Sequence, residues 1–197
     1  MGERFGNTME DKKELTKDLL TLSFKELLMK TPFEKITIKM ITDGAGVIRP
    51  TFYKHFQDKY EIIEYILEKE IKEKIQVLLD NNMEDDILRL LHICLGKDRE
   101  LYKKLYTVEG PNSFEALMFQ FLYDTMYAIL CKYPLKASAK VHILTKETIA
   151  RFYTFGLADS VKYAITHDIV YSPEEISETY DYLIHNSALD LVEHTKI

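Results

Sequence analysis

The sequence has 197 residues and two cysteines, a length that can bury a hydrophobic core without disulfide bonds or a structural metal. Apolar residues make up 46% and charged residues 29%, the profile of a globular protein, and the 7 Gly and 5 Pro are too few for a loop-rich all-β fold. Neither a signal peptide nor a run of ~18 apolar residues is apparent, so we expect a cytoplasmic protein with no membrane partner.

The net charge of −6 is distributed unevenly along the chain. Residues 1–60 carry 11 Lys+Arg and 9 Asp+Glu, a net +2, whereas residues 61–197 carry 15 and 23, a net −8. Affinity for nucleic acid depends largely on cationic side chains that neutralise phosphates. The pattern fits a small DNA-contacting N-terminal part joined to an acidic body.

The first predicted helix covers about residues 10–30 and ends at Thr31-Pro32, because the residue before a proline avoids the helical conformation. Thr37 can cap a second helix over about 38–45, which Gly46 ends with a positive φ. A third helix over about 49–55 and a fourth over about 59–80, capped by Asp58, follow. The amphipathic pattern of the first helix comes from Leu15, Leu19, Leu22, Leu27 and Met29.

The remainder of the chain also has helical periodicity. Helices are predicted near 84–95, 98–107, 113–132, 138–168 and 173–194, with breaks at Gly96, Gly110-Pro111, Pro134 and Ser172-Pro173. The sequence therefore predicts an all-α fold of about nine helices. We expect an N-terminal three-helix head, a helix-turn-helix DNA-binding domain, over residues 1–57 and a C-terminal helical bundle over residues 58–197.

The short third helix is rich in side chains that contact nucleic acid, namely Arg49, Thr51, Tyr53, Lys54 and His55. A helix of this length is unstable alone in water and must be held by packing. Val47, Phe52 and Phe56 are the expected anchors, which leaves a cationic face directed outward. A rigid helix with such a face is suited to the major groove of DNA. Thr37 and Lys59, at the starts of the neighbouring helices, are placed to contact phosphate.

Residues 35–63, KITIKMITDGAGVIRPTFYKHFQDKYEII, closely resemble the helix-turn-helix of TetR-type transcriptional regulators. The resemblance rests on the Thr that opens the second helix, the Ala-Gly-Val turn, the run TFYKHF at 51–56 and the Asp-Lys pair at 58–59. It implies that Arg49 and Thr51 contact base edges. It also implies that Thr37, Tyr53, Lys54, His55 and Lys59 contact phosphate.

Two positions depart from the family pattern. Ile48 stands where the family usually has a capping Ser or Thr, and Pro50 stands where a small residue, often Gly, is common. Ile48 can either contact a thymine methyl group or pack inward, and Pro50 is a possible apolar contact. The base preference of relatives should therefore not be transferred to this chain.

The resemblance also implies a homodimer that reads a pseudo-palindromic operator in double-stranded DNA through two heads. The last two long helices are the expected interface, with an intramolecular core as the alternative. The candidate interface residues are Phe152, Phe155, Gly156, Val161, Tyr180, Ile184, Ala188 and Leu191.

An effector site in the body is a further expectation from the family. Aromatic residues that could line such a pocket are Tyr102, Tyr106, Phe119, Tyr123, Tyr127 and Tyr153, although an aromatic core would show the same pattern. Residues 152–176, FYTFGLADSVKYAITHDIVYSPEEI, are similar to a subgroup related to regulators of dihydroxyacetone metabolism. Some members of that wider group respond to a protein co-regulator and not to a small molecule.

No catalytic motif, cofactor-binding loop or metal-ligand spacing is recognisable in the sequence, so we expect neither an enzyme nor a cofactor or metal. Cys94 and Cys131 are expected to be small buried side chains in a reducing compartment. The leading hypothesis is a dimeric repressor that responds to a ligand or a partner. The alternative is an activator whose body docks a protein co-regulator. The sequence does not identify the effector, the operator or the regulated genes.

Overall fold

The computed structural model describes residues 9–135 and 143–186. Helices and no strand occur in these two ranges, which confirms the all-α prediction. A π-helical segment, Glu68–Lys72, joins α4 and α5 without a break, so nine separate helices are formed by the described residues. The segments are α1 (Met9–Leu28), α2 (Ile38–Ala45), α3 (Arg49–Tyr53), α4 (Tyr60–Leu67), α5 (Glu73–Asp80), α6 (Ile87–Lys97), α7 (Arg99–Leu105), α8 (Phe114–Cys131), α9 (Lys146–Thr166) and α10 (Pro173–His185).

The described residues divide into two compact units. The first consists of the chain up to Lys69 together with Glu100–Gln120, and the second of Glu70–Arg99 together with the described residues from Phe121 onward. The helix-turn-helix lies entirely in the first unit. The predicted domain boundary between residues 57 and 58 stays a prediction.

The core of the first unit forms where α1 packs against α2 and α4. Leu20 and Phe24 of α1 are fully buried, as are Ile41 of α2 and Ile62 of α4. The apolar residues that predicted α1 do not all face this core, because Leu15, Leu19, Leu22 and Met29 are exposed. The predicted helix is therefore confirmed, although four of the five apolar residues that indicated it lie on its exposed side.

The second unit is built around α6, which packs against α5 and α10. Leu91 and Leu95 of α6 are buried together with Val161 of α9. One Nη of Arg99 donates to the carbonyl oxygens of Ala164 and Ile169, which fixes the end of α9 and the chain that follows it. Bonds of this kind satisfy carbonyl groups that lack a partner at a helix C-terminus.

Local capping signals were read correctly, whereas several boundaries were not. Thr145 caps α9 in a capping box with Thr148, so this helix begins at Lys146 and not near 138. Residues 136–142 and 187–197 lie outside the described residues, and α10 ends at His185 with Asn186 extended.

Gly96 lies inside α6, so the predicted break there is wrong; a single glycine costs a helix only about 1 kcal/mol. Cys94 is buried as expected, but Cys131 is exposed.

Gly44 provides a test of how α1 and α2 fit together. A Cβ atom at this position would overlap Oγ of Ser23, which is buried and donates a 2.8 Å hydrogen bond to the Ile41 carbonyl. We expect Gly44→Ala to lower the free energy of unfolding by about 1–3 kcal/mol, although alanine is the better helix former. Urea denaturation measures this change.

The control for this prediction is the double variant Gly44→Ala/Ser23→Ala, in which the overlapping hydroxyl is absent. Ser23→Ala alone should cost about 1 kcal/mol through the lost hydrogen bond. The double variant should be more stable than the sum of the two single effects predicts. Simple additivity would contradict the proposed overlap.

Candidate nucleic-acid interface

Helix α3 has only five residues and is held in place by aromatic packing. Phe52 is fully buried and Phe56 is 3% exposed, with their ring centroids 5.8 Å apart. Phe56 also packs edge-on against Tyr65 of α4, at 5.8 Å between centroids. The predicted anchors Phe52 and Phe56 are thus confirmed, and Val47 contributes a half-buried side chain. This packing supplies the stability that so short a helix lacks by itself.

The turn before α3 follows the local rules read from the sequence. Gly46 adopts a φ of 67°, and the Val47 N–H donates to the Thr42 carbonyl at 3.0 Å. At the other end of α2, the Thr37 hydroxyl accepts a 3.2 Å hydrogen bond from the Met40 N–H. Asp58 accepts hydrogen bonds from the Tyr60 and Glu61 N–H groups and so caps α4. The orientation of α3 between α2 and α4 is therefore fixed at both ends.

The opposite face of α3 is open to solvent. Ile48 is 70% exposed and Tyr53 is 50% exposed, while Arg49, Pro50 and Lys54 are also exposed. The guanidinium of Arg49 donates a 3.0 Å hydrogen bond to the Tyr53 hydroxyl and lies 5.6 Å from the centre of its ring. Of the two alternatives for Ile48, outward exposure agrees with an apolar contact and not with inward packing. Thr51 is half-buried at the edge of this face.

The contacts that Lys59 makes differ from the phosphate contact predicted for it. Its ammonium group donates to the carbonyl oxygens of Phe33 at 2.6 Å and Ile36 at 3.0 Å, and it lies 4.1 Å from the centre of the Phe33 ring. Burial lowers the pKa of this amine. An ammonium held by carbonyl groups cannot extend to a phosphate without breaking these bonds, so the structure argues against the predicted contact. Lys59 instead ties the start of α4 to the short 3₁₀ turn Phe33–Lys35.

His55 is half-buried beside the outward face of α3, and its Nδ1 atom is buried without a hydrogen-bond partner among the described residues. Burial is the main cause that lowers the pKa of the imidazole, and the charges of Lys13, Lys17 and Lys54 lower it further. Lys13 and Lys17 were not among the predicted site residues. Their spacing of four residues on a predicted helix could have indicated a shared face.

The six aromatic residues predicted to line an effector pocket are divided between the two units. In the first unit, Tyr102 and Tyr106 are buried against Phe114, with ring centroids 5.5 and 4.9 Å apart, which favours the aromatic-core interpretation for these two. Phe119 belongs to the same unit. In the second unit, Tyr123 and Tyr127 are stacked, and Tyr153 accepts a long hydrogen bond from Tyr180 at its carbonyl oxygen. The structure does not bring the six together in one unit.

Three cavities of about 380, 310 and 590 Å³ are found in the second unit. The largest of the three lies between α6, α8, α9 and α10, with Leu122, Met126 and Leu157 on its walls. The other two share four lining residues, His92, Val161, Ala164 and Tyr171, and adjoin one another. Ligand sites commonly have volumes of about 300–1,000 Å³.

The residues predicted for a dimer interface fall into four groups. Phe152 and Phe155 are 76% and 58% exposed on α9, Gly156 lies beside them, and Ile184 of α10 is 37% exposed. Val161 is 2% exposed and belongs to the core, so its assignment to an interface is corrected. Tyr180 is half-buried and turned inward, whereas Ala188 and Leu191 lie outside the described residues.

Within residues 9–135 and 143–186, no group of three or more His, Cys, Asp or Glu side chains is arranged to hold a metal ion. No helix in the same part of the chain is long and apolar enough to cross a membrane. The prominent site in the first unit is the exposed face of α3. A short helix fixed against two others, with a cationic outer face, defines a helix-turn-helix DNA-binding protein.

Comparison with known proteins identifies the family. The model for bacterial regulatory proteins of the tetR family matches residues 25–66, and a model for the C-terminal region of transcriptional regulators of this type matches residues 81–186. The second match alone covers more than half of the chain. The chain therefore belongs to the TetR family of DNA-binding transcriptional regulators.

Individual relatives are distant in sequence. The activator of the dhaKLM operon, DhaS, from Lactococcus lactis is 21% identical over 171 residues, 87% of this chain and 88% of that protein. The solved structure of a dihydroxyacetone kinase operon activator DhaS is similar with a TM-score of 0.61, at 19% identity over 87% of this chain and 95% of that one.

Two solved repressor structures also share the fold. NalD of Pseudomonas aeruginosa, the secondary repressor of a multidrug efflux pump, has a TM-score of 0.60 at 17% identity, covering 89% of this chain and 96% of NalD. The repressor FadR of Thermus thermophilus, solved with lauroyl-CoA, has a TM-score of 0.59 at 16% identity, covering 92% and 98%. At these identities the structural likeness establishes the fold alone.

The predicted phosphate contact of His55, whose pKa is lowered in the free protein, leads us to expect that DNA binding depends on pH. A nearby phosphate would raise this pKa again, because it offsets the surrounding lysine charges. Binding then favours the protonated imidazole, and affinity for DNA should increase as the pH falls from about 8 to about 6. Fluorescence anisotropy with labelled DNA at constant ionic strength measures the effect.

His55→Gln should remove most of this pH dependence. His167→Gln, at an exposed histidine of the second unit, is the matched control and should retain it. An unchanged pH profile in His55→Gln would show that His55 is not next to phosphate in the complex.

Proposed function

We propose that this protein is a homodimeric regulator that binds a pseudo-palindromic operator by inserting α3 of each head into the major groove. One observation carries the proposal. The inner face of α3 is buried through Phe52 and Phe56, while its outer face presents Arg49, Tyr53 and Lys54 to solvent. Such a helix is rigid and cationic, as groove recognition requires. The proposal places the protein in the cytoplasm with its operator.

The residues of α3 and those that flank it have different roles in this proposal. Arg49 and Thr51 read base edges, Ile48 and Pro50 make apolar contacts, and Tyr53, Lys54 and His55 contact phosphate. Thr37 contributes a phosphate contact through the N-terminus of α2, whose side-chain cap leaves other N–H groups of the first turn available. The hydrogen bond from Arg49 to Tyr53 couples a base-reading residue to a phosphate-contacting one.

A regulatory signal acting on the second unit is the next part of the proposal. Ligand or partner binding shifts the equilibrium between conformations that fit the operator and those that do not. The cavities in this unit, and the solved complex of the FadR repressor with lauroyl-CoA, support a small-molecule effector. Repression is the leading mode, since NalD and FadR are repressors.

An activator that docks a protein co-regulator is the second candidate. One observation favours it: DhaS, similar over 87% of this chain, is an operon activator. Co-purification of a partner with the full chain would support this mode over small-molecule repression.

The DNA-binding proposal is tested by selection of DNA from a random pool followed by affinity measurements. Arg49→Ala should relax the preference at one base pair of each half-site, a loss of about 1–3 kcal/mol in discrimination. Lys54→Ala should weaken binding to all sequences alike and reduce the salt dependence by about one phosphate contact.

Arg89→Ala is the matched control for the arginine, since Arg89 is an exposed residue of the second unit paired with Glu174. Its selected sequences should equal those of the unmodified protein. Binding without sequence preference, or without salt dependence, would overturn the DNA-binding proposal.

The dimer proposal is tested at Phe155. A carboxylate at this exposed position should leave the fold of one chain intact, but it would be buried without a partner in a seam formed by α9 and α10. We expect Phe155→Glu to convert the dimer to a monomer in sedimentation velocity. Val77→Glu, on an exposed apolar residue of α5, is the control and should remain dimeric. A dimer that persists in Phe155→Glu would place the interface elsewhere.

A further inference from the structure

The two adjoining cavities in the second unit share a histidine at their junction. They measure about 380 and 310 Å³, and both are lined by His92 of α6, by Val161 and Ala164 of α9 and by Tyr171. Most other walls of the 310 Å³ cavity are aliphatic, including Leu95, Ile165 and Ile169. This volume and character suit a small, largely apolar molecule.

The hydrogen bonding of His92 determines which of its nitrogens is available. Its Nδ1 atom lies 2.9 Å from the carbonyl oxygen of Leu88. A carbonyl oxygen can only accept, so Nδ1 carries the proton of the neutral ring and Nε2 carries a lone pair. Burial lowers the pKa of His92, and the charge of Arg99 lowers it further, so the ring is neutral near pH 7. His92 therefore offers a hydrogen-bond acceptor to the cavities.

Arg99 offers the complementary donor at the wall of the 310 Å³ cavity. Its Nη2 donates to two backbone carbonyl groups, but its Nε–H is buried and has no acceptor within hydrogen-bond distance among the described residues. Oδ1 of Asp168 lies 4.0 Å from this Nε, beyond hydrogen-bond distance. This carboxylate offsets the charge of the guanidinium without satisfying the Nε–H. A buried donor left without an acceptor costs free energy that a bound ligand can recover.

We propose that these adjoining cavities bind an uncharged small molecule with an apolar body and one hydroxyl group. The hydroxyl donates to Nε2 of His92 and accepts from Nε of Arg99, which satisfies both groups at once. A carboxylate cannot donate to Nε2, and an ammonium cannot accept from Arg99. The inference names the ligand class for the regulatory signal proposed above and rests on that proposal.

Calorimetric titration of the full chain tests this assignment with three matched probes near neutral pH. These are para-propylphenol, its methyl ether and para-propylbenzoate. We expect the phenol to bind about tenfold more tightly than the ether, which lacks the donor, and than the benzoate, which is anionic. Equal binding of phenol and ether, or no binding of the phenol, would overturn the proposal.

Two variants locate the site. His92→Phe keeps a ring of similar size but removes the acceptor, so the phenol should lose its advantage while the ether binds as before. His185→Phe, at an exposed histidine of α10, is the matched control and should leave both affinities unchanged. A phenol preference that survives in His92→Phe would place the hydroxyl elsewhere and overturn the assignment.

Operator binding measured on the same samples separates this inference from the proposed function. A protein that binds its operator but not the phenol contradicts only the ligand assignment. A protein that binds the phenol at His92 but shows no DNA preference contradicts the DNA-binding proposal and retains the site.

Discussion

The burial of Phe52 and Phe56 is the contact on which the DNA-reading part of this protein depends. Helix α3 contains five residues, far fewer than an isolated helix needs to persist in water. Its conformation is stabilised because the ring of Phe52, and that of Phe56 just after the helix, are removed from solvent. Helix α3 contacts α2, and Phe56 contacts Lys17 of α1 and Tyr65 of α4. The exposed side chains of α3 are therefore attached to a fixed backbone. Their directions depend on the buried core, although they make no part of it.

Lys59 makes a second contact that stabilises the first unit. A lysine at the start of a helix is ordinarily regarded as a surface charge. Here its ammonium group donates hydrogen bonds to three backbone carbonyl groups in and just after the 3₁₀ turn. These carbonyl groups have few partners of their own at the end of a short turn. The charge of Lys59 therefore stabilises the 3₁₀ turn. The positive charge around His55 comes instead from Lys13, Lys17 and Lys54.

What the sequence predicted well is governed by local rules. The cap at Thr37, the positive φ at Gly46 and the cap at Asp58 each depend on a few neighbouring residues, and all are observed. The face presented by α3 could be predicted for the same reason, since two anchors four residues apart define its inner side.

What the sequence could not predict depends on residues distant along the chain. Val161 and Phe155 are both apolar residues of α9, and only the tertiary packing makes one of them core and the other surface. Leu15, Leu19 and Leu22 indicated the helix correctly but lie on its exposed side, while Thr21 and Ser23 occupy buried positions. Tyr102 and Tyr106 are buried against the ring of Phe114, and the sequence pattern does not distinguish such core residues from pocket residues. His92 of α6 and Arg99 of α7 line the same cavity together with residues of α9, and no local pattern in the sequence indicates that they do.

The hydrogen bond between Arg49 and Tyr53 also has a consequence for the timing of recognition. A free arginine side chain loses about 2 kcal/mol of rotamer entropy when it is ordered. In this protein part of that loss occurs on folding, before any DNA is present. Because a guanidinium has five N–H donors, it can keep the tyrosine and still offer a planar edge to guanine. In the proposed complex the Arg49 side chain would therefore already be ordered when it meets DNA. A mismatched base would leave one of its N–H donors without an acceptor, and no slow rearrangement of the side chain would be needed to discriminate against it.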